Sequence, residues 1–340
     1  NPKRMYDNAY WKEAYVAAKE AYDFCVQNGI ALTENPADIW LQERGPEVIF
    51  PVIYSNPNRV ATWEYGTRPA SVSRDKPYHN PTWEFVKDFP MLDGKRYDDP
   101  TGKYYVGDEQ ALLKAFWKNR DPRFNRACLY NGREWPVAGR SADNRMYNAL
   151  GVSNADDQYG VNPNAGVNAA NNDIFSGMYN YKVSDLSLTQ DKVMTFDIDY
   201  ILMRFAEVMF IYAEAANENG HSDVAIDLLK QIRKRAGIPG YGETVNLPKP
   251  TTTEEVMELI RKEKRIELSF ENCRYFDVRR WGLVNEYFNK AIHGMNVNYD
   301  GNEFFKRTEI VKRIFDRQYF FPIPQGEIDI DKNLVQNTGF

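Results

Sequence analysis

Ile201-Leu-Met-Arg-Phe-Ala-Glu-Val-Met-Phe-Ile-Tyr-Ala-Glu-Ala-Ala-Asn217, with the segment that follows it to Pro239, decides the fold. Phe205, Val208/Met209, Tyr212 and Ala216 recur at three- and four-residue spacing, which lays them along one stripe of a helix. Glu218-Asn-Gly220 breaks the pattern, and Ala225, Leu228/Leu229, Ile232 and Ala236 resume it up to Gly237-Ile-Pro239. The spacing therefore predicts two antiparallel helices joined by a glycine-containing turn and stopped by proline.

A second such pair is expected downstream, with Thr253 capping a helix from Glu254 to Phe270 and Tyr275 to Lys290 returning. Repeated helical hairpins of this size follow the tetratricopeptide plan, in which each unit needs neighbours to cover its apolar face and about three are required for stability. Residues 10–27 supply a further amphipathic helix through Tyr10/Trp11, Ala14/Tyr15, Ala18, Ala21/Tyr22 and Cys25, ending at Asn28-Gly29. That helix belongs to the same packing, or part of the bundle lies outside this chain.

The rest of the chain differs in kind. Val48 to Tyr54 is apolar, β-rich and interrupted by Pro51, as a short edge strand would be. Residues 55–103 and 132–177 are rich in Pro, Asn, Gly and aromatics with little periodicity, and Glu109 to Lys118 between them reads as a short helix. The expected architecture is one mostly α domain over 1–340. In it a tetratricopeptide-like helical-hairpin scaffold (10–30 and 200–290) carries a long irregular loop-rich subdomain and a few short strands.

Composition narrows the function classes. The 340 residues are 43% apolar and 27% charged, which excludes collagen-like and wholly disordered chains. A formal net charge of -5 argues against nucleic acid, whose phosphates want clustered Lys and Arg. The apolar run Tyr200 to Ala216 contains Arg204, Glu207 and Glu214 and so cannot cross a membrane. Cys25, Cys128 and Cys273 have no metal or redox spacing and read as buried small hydrophobes.

His79, His221 and His293 are isolated in sequence, so no metal and no cofactor is expected. Gly237 to Gly242 follows a helix rather than a strand and lacks the Lys-Ser/Thr of a phosphate loop. Glu263, Glu267 and Glu271 lie four apart and would repel one another without compensation. Arg265, Arg274, Arg279 and Arg280 are close enough in sequence to neutralise them, so a structural ion network is expected.

The aromatic loops are the best functional candidates in a chain with 22 Tyr, 19 Phe and 7 Trp. Trp63, Tyr65, Tyr78 and Trp83 accompany Arg68, Arg74, His79 and Asn80, and the second loop adds Trp135, Arg140, Asn144, Arg145, Tyr147 and Tyr159. Sugars need flat apolar faces against their C–H surfaces and planar polar groups for their hydroxyls, and both loops supply these types. Trp83 and Trp135 adjoin regular structure and read as structural. The Asn/Asp-rich stretch from Asn154 to Asn172 lacks an EF-hand pattern.

Several segments give the chain a resemblance to the SusD/RagB family of Bacteroidetes surface lipoproteins. Arg204 to Glu218 with Ile232-Arg-Lys-Arg-Ala-Gly-Ile238 is similar to the family's tetratricopeptide signature. Ile260-Arg-Lys-Glu-Lys-Arg-Ile-Glu-Leu268 with Arg274-Tyr-Phe-Asp-Val-Arg-Arg-Trp281 resembles its most characteristic motif. Phe320-Phe-Pro-Ile-Pro-Gln325 through Asn337, within 315–340, resembles its usual C-terminus. Glu47-Val-Ile-Phe50, Asn80-Pro-Thr82 and Asp121-Pro-Arg-Phe124 agree more weakly.

The resemblance implies a non-enzymatic nutrient-binding lid. Such a lid captures an oligosaccharide at the cell surface and delivers it to a SusC-like TonB-dependent transporter in the outer membrane. It also implies a signal peptide, a lipidated cysteine and a long N-terminal segment, none of which is in the sequence shown. The membrane is then reached only through an anchor outside this chain. Residue types and resemblance together make Trp63, Tyr65, Arg68, Arg74, Tyr78 and Tyr147 the expected ligand contacts. A peptide-binding lid of the RagB kind and a tetratricopeptide adapter are the alternative readings.

Overall fold

The computed structural model describes residues 8–64, 66–68, 79–115, 118–130, 133, 149–150, 176–189, 191–245, 247–298, 305–312 and 321–337. In chain order these hold α1 (Asn8–Gln27), β1 (Val48–Val52), α2 (Trp83–Val86), α3 (Glu109–Ala115), α4 (Pro122–Ala127), β2 (Cys128–Leu129), β3 (Ala149–Leu150) and β4 (Tyr179–Asn180). Then follow β5 (Tyr200–Arg204), α5 (Phe205–Glu218), α6 (Ser222–Ala236), α7 (Thr253–Glu267), α8 (Cys273–Arg280), α9 (Val284–Tyr287), β6 (Ala291–Asn298), β7 (Phe305–Lys312) and α10 (Gln325–Ile330).

Helix α5 is the axis of the scaffold. Phe205, Val208, Met209, Tyr212 and Ala216 are buried as the stripe predicts, and α6 answers with Ala225, Leu228, Leu229 and Ile232. Burying one such aliphatic side chain contributes about 1.5–3 kcal/mol. The turn runs through Gly220 at φ +80°, and α6 ends on Gly237 at φ +83°, where Ile238 N–H donates back to Arg233 O (3.1 Å). Helix α1 packs on the other side of α5, with the Tyr22 ring 5.5 Å from Phe205 and the Tyr15 ring 5.9 Å from Tyr212. It therefore does belong to the same bundle.

Three boundaries differ from the periodicity. Helix α7 is capped by Thr252, one residue before the expected Thr253, because Thr252 and Glu255 form a reciprocal capping box. The segment expected to begin a helix at Ile201 is instead strand β5, antiparallel to β1, with Val48 opposite Arg204 and Pro51 opposite Ile201. The return over Tyr275 to Lys290 is split into α8 and α9 at Gly282, φ +74°.

The β6–β7 hairpin was not foreseen. It lies against α2, where the Glu84 carboxylate accepts from His293 N–H (3.0 Å) and meets His293 Nδ1 at 2.6 Å. The loop-rich half has an aromatic core of its own around Trp83, Phe85, Phe89, Phe124 and Tyr130. Trp83 is fully buried and donates through Nε1 to Glu109 (2.5 Å), the structural role expected of it, whereas Trp135 lies outside the described residues. Of the three thiols, Cys25 and Cys128 are buried and Cys273 is only half-buried.

The ion network exists, with different partners. Glu263, Glu267 and Glu271 are all buried, but their cations come from distant elements. Arg123 of α4 reaches Glu263 (3.0 Å) and Glu267 (3.3 Å), and Arg204 at the end of β5 reaches Glu271 (2.8 Å), Glu267 (3.0 Å) and Glu47 (2.5 Å). Arg233 and Arg235 of α6 pair with Glu263 and Glu267, and Lys182 with Glu271. The expected neutralisers go elsewhere. Arg265 pairs with Asp88, Arg280 with Glu214 and Asp277, Arg279 lies over Tyr275, and Arg274 lies over Tyr287. Spacing along one helix shows which carboxylates gather on a face, but not which distant strand or loop supplies the opposing charge.

Candidate functional site

A cleft of about 700 Å³ opens where the 54–67 loop, the residues after β4, strand β5 and the α7–α8 junction converge. Its size falls in the range of small-molecule sites. Three aromatic side chains form one wall: the Trp63 ring meets Tyr54 edge-on at 5.1 Å and Tyr200 at 5.2 Å, with Phe196 behind at 5.3 Å. Trp63 Nε1 is buried and has no hydrogen-bond partner. A buried donor left in this state costs free energy unless something arrives to accept from it.

The facing wall is the junction between α7 and α8. Phe270 and Asn272 both adopt left-handed backbone, φ +62° and +63°. Asparagine tolerates that region, but for phenylalanine it is a genuine outlier that costs on the order of 1–3 kcal/mol. The conformation turns alternate residues in opposite directions. Glu271 points into the ion network, while Phe270, Asn272 and Arg274 line the cleft. Asn272 Nδ2 donates to the Tyr200 hydroxyl (3.0 Å), tying the two walls together. Burial, with the Glu271 charge beside it, pushes the Tyr200 hydroxyl up to about 12, so it remains a neutral donor and acceptor. At the mouth, Phe276 is 65% exposed.

The expected ligand contacts separate. Trp63 lines the cleft. Arg68 does not face it and is fully buried, because its guanidinium pairs with Glu64 and donates to Leu188 O (2.9 Å) and Asp185 O. It ties Glu64 to the 185–188 strap. Burial pushes the Glu64 carboxyl up to about 7 despite the Arg68 guanidinium. Tyr65, Arg74, Tyr78 and Tyr147 lie outside the described residues. The cleft residues that sequence reading missed are chiefly Tyr54, Tyr200, Phe270, Asn272, Arg274 and Phe276. For Phe270, Asn272, Arg274 and Phe276 the one available signal was a run of aromatic and polar residues immediately beyond the end of α7.

Among the described residues, no group of three or more His, Cys, Asp or Glu is placed to hold a metal ion. No described helix is long and apolar enough to cross a membrane.

The profile of the SusD family matches residues 46–340. The chain belongs to the SusD family. SusD-like protein P2 of Formosa agariphila is 33% identical over 142 residues, 41% of this chain and 25% of that protein. Two crystal structures from Bacteroides fragilis share the fold. A SusD-like protein superposes with TM-score 0.71 at 24% identity, over 96% of this chain and 63% of its own. A SusD-like carbohydrate-binding protein superposes with TM-score 0.68 at 24% identity, over 95% of this chain and 62% of its own. This SusD-family chain thus spans less than two thirds of the relatives it matches.

Proposed function

We propose that this SusD-family protein is a non-enzymatic surface lid that captures oligosaccharides and delivers them to a SusC-like TonB-dependent transporter. It would be held at the outer membrane by a lipid anchor. The observation that carries the reading is the cleft itself, whose two aromatic walls are bridged by the Asn272–Tyr200 hydrogen bond. Rings present flat faces to sugar C–H surfaces, and hydroxyl and amide groups beside them suit sugar hydroxyls. A fold shared with a carbohydrate-binding protein supports the same class of ligand. The helical scaffold is the rigid half suited to a transporter, and the loops are the half free to fit a ligand.

On this reading Trp63, Tyr65, Arg74, Tyr78 and Tyr147 contact the ligand, and Arg68 holds the segment that carries Trp63. The test is calorimetric titration with a panel of oligosaccharides, with a pool of short peptides in parallel. One glycan class is expected to bind, and Trp63→Ala with Tyr65→Ala is expected to weaken it about tenfold or more, as removal of buried aromatic anchors does. Binding of peptides alone would replace this reading with oligopeptide capture.

A further inference from the structure

The described lining of the cleft holds one permanent charge, the guanidinium of Arg274, and no carboxylate. This is unusual in a chain with 48 Asp and Glu against 43 Lys and Arg. Arg274 lies over the Tyr287 ring at 4.3 Å and the Trp281 ring at 5.6 Å. Its Nη1 is buried and has no hydrogen-bond partner, while Tyr287 is hydrogen-bonded to the same guanidinium. The carboxylates that act on it, Asp277 and Glu258, are already occupied. Asp277 accepts from Lys264 (2.9 Å) and Arg280 (3.0 Å), and Glu258 accepts from Arg261 (2.5 Å). Burial lowers the Arg274 pKa from its ordinary value, with Tyr287 opposing the shift. Arg265, the next guanidinium in the same region, is by contrast closed by Asp88.

A guanidinium offers a planar fork of donors matched to a carboxylate or sulfate. A site whose charged group keeps one donor unpaired discriminates against ligands that cannot pair it. We propose that the cleft selects acidic oligosaccharides, with Arg274 receiving the carboxylate or sulfate of the sugar. This rests on the oligosaccharide reading above and adds the class of sugar. The neutral wall of Trp63, Tyr54 and Tyr200 then holds the ring face while Arg274 fixes its anionic edge.

Calorimetry with three oligosaccharide series of matched length, uronate-bearing, sulfated and neutral, tests this at about 0.05 M and about 0.5 M NaCl. At least one acidic series is expected to bind about ten- to hundredfold tighter than the neutral one, the range of a charge-assisted hydrogen bond, and to weaken in high salt. Which acidic series binds separates carboxylate from sulfate. Arg274→Gln is expected to erase the preference in a protein that remains folded, and Arg274→Lys to retain part of it. Phe276→Ala should lower all series alike, which separates general contact from charge selection. Equal affinity for neutral and acidic sugars, or acidic binding untouched in a folded Arg274→Gln protein, overturns the inference and leaves oligosaccharide capture standing. Failure of all three series while peptides bind would remove the reading beneath it.

Discussion

The ion network beneath α7 and the cleft beyond its C-terminal end share a segment of backbone but solve opposite problems. In the network, five carboxylates (Glu47, Asp121, Glu263, Glu267, Glu271) face five cations (Arg123, Lys182, Arg204, Arg233, Arg235). Every one of these carboxylates is paired, although Arg235 Nε is itself buried without a partner. In the cleft, a few steps along the chain, Trp63 Nε1 and Arg274 Nη1 are buried without partners. Buried polar groups raise stability and specificity only when satisfied, so the closed set of paired carboxylates holds the fold, and it is the unpaired cleft donors that the proposal above assigns to a ligand. The left-handed residues Phe270 and Asn272 separate the two, sending Glu271 one way and their own side chains the other.

The largest effect should come from breaking the closed set. Arg204→Met leaves Glu47 and Glu271 each short of a partner at almost complete burial, and should cost about 3–5 kcal/mol in chemical unfolding. Arg204→Lys should recover little, since one ammonium cannot reach the carboxylates that the guanidinium spans. A loss below about 1 kcal/mol would mean the network is not the closed unit described here.

Acidity separates the two regions by sign. Burial would raise the Glu267 carboxyl, but Arg235, Arg204 and Arg123 overcome it and hold it well below the ordinary range; Glu263 and Glu271 are lowered in the same way. A depressed carboxylate contributes stability that is present above its unfolded value of 4.5 and is lost as pH falls through the folded value. Melting temperature should therefore drop steeply below about pH 4.5. Glu64, raised to about 7 by burial against the Arg68 guanidinium and with Asp185 alongside, runs the other way. Its contribution is full below 4.5 and lost as pH rises through about 7, so amide protection around Glu64, relative to the intrinsic exchange rate at each pH, should be greater at acid than at alkaline pH.

A third test probes how tightly the network is held from outside. Gly94 sits at φ +79°, and a Cβ there would lie within 2.2 Å of Arg233 Nη2, which donates to Gly94 O at 3.1 Å. Gly94→Ala should cost about 2 kcal/mol from backbone strain and the displaced guanidinium. A neutral outcome would mean Arg233 can swing away and still serve Glu263.

How much of this was readable depends on range. The α5–α6 hairpin was legible because a helical stripe is a local code, and Gly237 marks its own stop. The carboxylate row 263–267–271 was legible as a face, but Arg123 and Arg204 lie far along the chain and nothing local ties them to it. Strand β5 was hidden because Ile201 to Met203 continue the apolar character of α5, and only pairing with β1 distinguishes them. In the cleft, Trp63 was found from loop composition. Arg68 looked equivalent in sequence, yet Glu64 four residues earlier draws it inward. Asn272 and Arg274 were read as scaffold, since the turn that exposes them depends on a left-handed Phe270, which no propensity would predict.

The smallest effect gives the sharpest contrast between the two regions. Phe276 is 65% exposed at the mouth of the cleft, so Phe276→Ala should leave stability within about 0.5 kcal/mol. If the cleft is open capacity, the same change should still weaken oligosaccharide binding about five- to tenfold, near 1 kcal/mol. Trp63→Ala cannot make this separation, because its ring also supports Tyr54, Phe196 and Tyr200 and its loss should reduce stability and affinity together. A Phe276→Ala protein with unchanged affinity would confine binding to the Trp63 wall and leave the α8 side of the cleft outside the ligand's reach. A protein weakened in binding alone would place the ligand between both walls, on residues that contribute almost nothing to holding the fold.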